Sequence, residues 1–199
     1  MPLQNRVDPW GTIFRTPARG TFMGNRGGAI HNDRREIVRP YASRRWIACV
    51  LEFKGRWRAV MTPGRYTELF FLDEAVALAA GHRPCAECRR ARYNAFREAW
   101  GGSPSADEMD VELHRARIDL KRNKVTHDAP WSSLPDGCFV QRDECSYLVR
   151  GNDLLLWSPE RYVSKERRPA KGNVTVLTPE PIVRCLRQGY RPEIHQTVL

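Results

Sequence analysis

The chain has 199 residues, 41% of them hydrophobic, and a mean hydropathy of −0.57, which suits one domain, or a domain with a small appendage, around a core of its own. No apolar run approaches the roughly 18 residues of a membrane span, and Met1 to Arg6 lack the apolar core of an export signal, so a cytoplasmic protein without a membrane partner is expected. The net charge of +10 is concentrated: residues 1–100 hold 18 Lys and Arg against 9 Asp and Glu, residues 101–199 hold 15 against 14, and ten of the eleven cations in 15–58 are arginine.

Arginine's planar fork suits phosphates and guanine edges, so nucleic acid is the expected partner, with an incidentally basic surface as the alternative. Residues 1–45 read as an irregular Gly- and Arg-rich arm able to carry Arg19, Asn25, Arg26, His31, Arg44 and Arg45 to a phosphate or base, or else as a surface loop wrapping the core. Trp46 to Val60 reads as a β-hairpin turning at Lys54-Gly55, with Cys49 inside its first strand, either as a buried thiol or as a metal ligand. Arg56 and Arg58 lie on its return. Tyr66 to Phe71 is a second strand, and Asp73 caps a short helix through Ala80 that Gly81 ends.

Pro84 is expected to start the next helix, running to Trp100, with Tyr93, Phe96 and Trp100 facing the core and Arg89, Arg90, Arg92 and Arg97 left for solvent or phosphate. Ser105 to Glu108 is a capping box opening a third helix, whose inner face is Met109, Leu113, Ala116 and Leu120. From Leu134 the pattern changes to short strands: Cys138–Val140, then a hairpin of 147–150 and 154–157, a charged connector over 165–172, a strand at 174–177 and a short helix at 182–187. The expected fold is α+β: a small antiparallel sheet with a zinc-stapled turn and packed helices, then a β-rich C-terminal subdomain. The core is placed at residues 1–130 and the subdomain at 131–199.

Chemistry concentrates in Arg83-Pro84-Cys85-Ala86-Glu87-Cys88-Arg89-Arg90. Two thiols three positions apart lie on one side of a single turn and reach one ion at about 2.3 Å, half of a tetrahedral zinc site. A pair of buried cysteines or a redox pair is the alternative. With no export signal, the six cysteines point to metal binding or free thiols rather than disulfides. Cys49 and His31 are the best completing ligands, for one structural Zn2+ in all. Cys138 and Cys145, seven apart, do not have a standard ligand spacing.

The segment from Phe70-Phe71 through an Ala-rich helix and Gly81 to Arg83-Pro84-Cys85-Ala86-Glu87-Cys88-Arg89 resembles the end of the amino-terminal zinc domain of the Ada methylphosphotriester-repair proteins, over about twenty residues of the chain. In that family the matching turn supplies two of four thiolate zinc ligands and the domain binds DNA. An upstream Cys-x-x-x-Cys there supplies the other two, one of which accepts the methyl group; here only Cys49 precedes Cys85. The resemblance implies a zinc-stapled DNA-binding fold.

No phosphate loop, dinucleotide glycine pattern, His-Glu-x-x-His or nucleophile elbow is present. A zinc deaminase would need His-x-Glu upstream of Pro84-Cys85, and neither His31 nor His82 is followed by one. The sequence leads to a DNA repair or defence enzyme hydrolysing a bond at a modified or damaged nucleotide of duplex DNA, of glycosylase type before nuclease. Glu68, then Glu52, is its carboxylate, and Arg83, Arg89 and Arg90 join the DNA-binding set. A non-catalytic zinc-stapled DNA reader or sensor, and a basic adaptor, are the other classes.

Overall fold

Alternation of inward and outward residues builds a set of short strands, and a computed structural model describes residues 1–57 and 59–197. The first sheet contains β1 (Gln4–Val7), β2 (Ile13–Arg15), β3 (Phe22–Arg26), β4 (Trp46–Cys49), β5 (Leu69–Phe71) and β6 (Arg83–Pro84), in the order β2-β1-β5-β3-β4-β6. Its β1–β5 and β4–β6 pairings are parallel and the others antiparallel. The second sheet, antiparallel throughout, orders β7 (His127–Pro130), β8 (Phe139–Arg142), β9 (Cys145–Arg150), β10 (Asp153–Trp157), β11 (Tyr162–Arg167) and β12 (Asn173–Val176) as β11-β10-β9-β8-β12-β7. Four α-helices complete a mixed α+β fold among the described residues: α1 (Glu74–Ala79), α2 (Arg90–Trp100), α3 (Ala106–Arg117) and α4 (Glu180–Arg187). No described helix is long and apolar enough to cross a membrane.

Two apolar clusters hold these layers. Phe22, Ala48, Leu69, Phe71 and the small residues of α1 meet Phe139, Leu148 and Leu155 of the second sheet. The opposite face of that sheet, with Val140, Val149, Leu154 and Val176, packs on Phe96, Met109, Leu113 and Ile182 from α2, α3 and α4. The second sheet is therefore covered on both faces, and both clusters cross the boundary expected at residue 130.

Several elements differ from expectation. The arm is ordered into β1, β2 and β3, because Phe22, Gly24 and Arg26 alternate inward although only one of them is apolar. Gly24 is required there: a Cβ would lie 2.3 Å from the Ile47 carbonyl oxygen. Lys54-Gly55 does turn, with both residues at positive φ, but β4 finds its partners in β3 and β6 rather than in a return strand. Pro84 ends a strand, and α2 begins six residues later, after the cysteine turn. Leu120 lies beyond the end of α3 and is exposed, and the inward position is taken by Arg117. Part of the expected charged connector is β11, paired edge to edge with β10. The Asp73 cap, the Ser105 capping box and the β9–β10 hairpin stand as expected.

Candidate metal centre

The cysteine turn is held from both ends. Gly81 closes α1 at φ +86, its N–H donating to Leu78 O and that of His82 to Ala77 O, the paired bonds of a glycine helix cap. A Cβ on Gly81 would meet the Arg117 side chain at 2.6 Å. Arg117 lies across this turn, donating to Gly81 O (2.8 Å) and Arg44 O (2.7 Å) and standing 4.0 Å over the Trp46 ring. The chain then enters β6, parallel to β4 with Ala48 opposite Pro84, and Cys85 N donates to Ala48 O at 2.9 Å. That register sets Cys85 beside Cys49.

The Sγ atoms of Cys49, Cys85 and Cys88 all lie within 4.8 Å of one another. Four thiolates at about 2.3 Å from a tetrahedral ion stand about 3.8 Å apart, so this spacing and a wholly sulfur donor set suit a soft or borderline cation. All six cysteines are free. The Cys85 thiol is pulled down, first by its hydrogen bond with Cys49 and then by that with Cys88. Cys49 is pushed up, first by the Cys85 hydrogen bond, then by Cys88 and burial. A bound cation favours the thiolate at all three.

His31 is not part of this group. Its Nδ1 lies 2.6 Å from Thr67 Oγ1 and its Nε2 3.3 Å from Thr62 O, so it ties together the segments around residues 31 and 67. Among the described residues no further His, Cys, Asp or Glu joins the three thiols. Cys138 and Cys185 are buried apart from them, each with its thiol pushed up to about 12 by desolvation.

The carboxylates are sorted by burial. Glu68 is interior, and its Oε2 accepts the N–H of Met61 at 2.7 Å, where Met61 takes a left-handed φ of 54. It thereby fixes a strained turn and does not line the cavity beside the cysteines. Glu52 is exposed and lines a cleft of about 850 Å³ together with Cys88, Arg90 and Glu193.

The arginines divide likewise. Arg19, Arg44, Arg45, Arg56 and Arg90 are exposed, Arg45 paired with Asp107 at 3.1 Å and Arg56 with Glu87 at 3.0 Å. Arg58 lies outside the described residues. Three others expected at an interface are internal. Arg26 donates to Gly11 O at 2.7 Å and stands 4.1 Å over Trp46. Arg83 forks onto Asp110 at 2.9 and 2.7 Å. Arg89 joins Glu74 at 2.8 Å and Glu193 at 2.6 Å. Their partners are distant in sequence, which is why an arginine-rich stretch reads as a surface until the fold supplies a ring for Arg26 and carboxylates for Arg83 and Arg89. Asn25 is half-buried, its Oδ1 accepting from Gly27 N at 2.9 Å.

Met23 and Ile47 line the cavity beside the thiols and went unmarked in the sequence, and Tyr66 lines it with them. Recognising 22–26 as a strand opposite 46–49 is the signal that finds the first two. Comparison of the chain with protein-family models, with curated proteins and with solved structures returned no match.

Proposed function

We propose that this chain is a zinc-stapled DNA-binding protein, in which Cys49, Cys85 and Cys88 hold one Zn2+ and the exposed arginines Arg19, Arg44, Arg45, Arg56 and Arg90 contact the backbone of duplex DNA. The observation that carries the reading is the meeting of three thiols from a strand and a turn within one ion's reach. The bound ion would add folding free energy by tying β4 to the entry of α2. The surplus of cations in residues 1–100, of which five named arginines remain exposed, supports a polyanionic partner, as does the resemblance of residues 70–89 to the Ada zinc domain.

Hydrolysis at a modified nucleotide is the second reading, and the cleft that Glu52 and Cys88 both line favours it. Glu68 is better suited to hold the turn at Met61 than to position water. The test is binding of a duplex across a salt series. Replacing Arg44 and Arg56 with alanine should weaken binding to all sequences alike and reduce the slope of log K against log salt by about 0.9 for each phosphate no longer neutralised. An unchanged slope removes this face as the interface. Release of a base or a nick from a modified duplex, lost in Glu52→Gln, would move the conclusion to the enzyme.

A further inference from the structure

The β3–β4 register, Met23 opposite Cys49 and Asn25 opposite Ile47, puts these four residues on one face of the first sheet, while Phe22, Gly24, Trp46 and Ala48 line the buried face. A cavity of about 190 Å³ stands on the Cys49 face. Phe53 and Arg56 of the loop after β4 wall it together with Tyr66, and all three cysteines line it. The Arg56–Glu87 ion pair ties that loop to the cysteine turn at the rim. The three thiols thus face the cavity, and no further described His, Cys, Asp or Glu reaches them.

A tetrahedral ion held by three protein ligands keeps a fourth position for a ligand from outside. Resting on the metal reading above, we infer that this position opens into the cavity and takes a low-molecular-weight monothiol as its fourth sulfur ligand. A donor set of three sulfurs favours a fourth soft donor over oxygen. The volume corresponds to about six water molecules at roughly 30 Å³ each, room for a thiol of a few heavy atoms. Met23, Ile47 and Phe53 offer apolar contact to its carbon, and Asn25 and Arg56 polar contact to its other end. The thiol binds as thiolate, its S–H proton passing to bulk water and the sulfur lone pair to the metal; no oxidation is involved.

The test uses the full chain loaded with Co2+, whose sulfur-to-metal charge-transfer bands count thiolates, titrated with 2-mercaptoethanol. One cobalt per chain should bind, and charge-transfer intensity should rise by about a third as three sulfur ligands become four, with the metal retained after gel filtration. Ethylene glycol, the oxygen counterpart, should leave the bands unchanged, and glutathione should act at least about tenfold more weakly because it overfills the cavity. Ile47→Trp, which fills the cavity and replaces no ligand, should keep the cobalt and lose the response; Met23→Trp makes the same test from the facing strand if that variant does not fold. A chain that takes up no cobalt overturns the metal reading and this inference with it. One bound cobalt whose bands ignore the thiol, or answer ethylene glycol equally, overturns this inference alone.

Discussion

Glu74 is the first residue of α1 and wholly buried, and its carboxylate accepts from Arg89 (2.8 Å), Arg92 (3.1 Å), Tyr190 Oη and the backbone N–H of Glu193 (2.8 Å). It joins three parts of the chain: α1, the start of α2 directly after Cys88, and the segment at 190–193. Burial alone would raise its pKa, but Arg89, Tyr190 and the Glu193 N–H together hold it below the ordinary carboxylate value. Glu74→Gln keeps the shape and removes the charge, leaving an Arg89 side chain that is 2% exposed with only Glu193, itself half-exposed, as counter-charge. Breaking one side of a buried pair costs about 3–5 kcal/mol, or a fall in Tm of roughly 6–20 °C for a chain of this length. Arg89→Met should cost a similar amount, and the double variant less than the sum by about 1–3 kcal/mol, since each single change strands the other's charge. Urea unfolding of the four proteins at neutral pH measures this. Because the folded pKa lies below the unfolded one, Glu74's contribution is present above the unfolded value near pH 4.3 and is lost as pH falls through the folded value. Single variants within about 0.5 kcal/mol of wild type, or strictly additive costs, would refute the clamp.

Three further outcomes follow from the same structure. Cys49→Ser should weaken or abolish metal binding and lower Tm, whereas His31→Ala, which loses bonds to Thr67 and Thr62, should cost about 1–2 kcal/mol and keep the metal with unchanged affinity; metal analysis of both after dialysis against a chelator decides. Lys124, half-buried with Nζ donating to Ala79 O, has its pKa lowered to about 7 by burial and then by Arg26. The folded state thus holds its proton less tightly than the unfolded chain does, so stability rises between about pH 7 and 10.4; Lys124→Met should be the more stable protein at pH 6, with its advantage shrinking by pH 9.5, and an advantage independent of pH would refute this. Glu68→Gln, replacing the acceptor for Met61 N–H, should leave DNA affinity and metal content unchanged while lowering Tm by several degrees. A loss of DNA cleavage at constant Tm would contradict that role.

Local signals were legible where they are chemically self-contained. Asp73 caps α1 with its own oxygen, Ser105 and Glu108 cap α3 reciprocally, and Gly151-Asn152 turns one strand onto the next. The Cys85–Cys88 pair was legible for the same reason, and Cys49 became a candidate because a strand can deliver a side chain to a turn. What the sequence hid depends on partners far along the chain. Arg26, Arg83 and Arg89 look like a nucleic-acid surface until Trp46, Asp110 and Glu74 enclose them. Strand β3 carries a glycine and an arginine on its inward face, so its alternation is invisible to hydropathy. His31, a plausible ligand by residue type, is held by Thr67, a threonine 36 positions away.

The central claim is a metal held by Cys49, Cys85 and Cys88, and X-ray absorption at the zinc edge of the purified protein tests it most directly. The geometry predicts one zinc per chain with three sulfur neighbours at about 2.3 Å and one lighter atom at about 2.0 Å in the absence of added thiol, falling to two sulfurs or to no bound zinc in Cys49→Ser. A native, fully folded protein without zinc, or one whose three-sulfur signal is unaltered in Cys49→Ser, would contradict it.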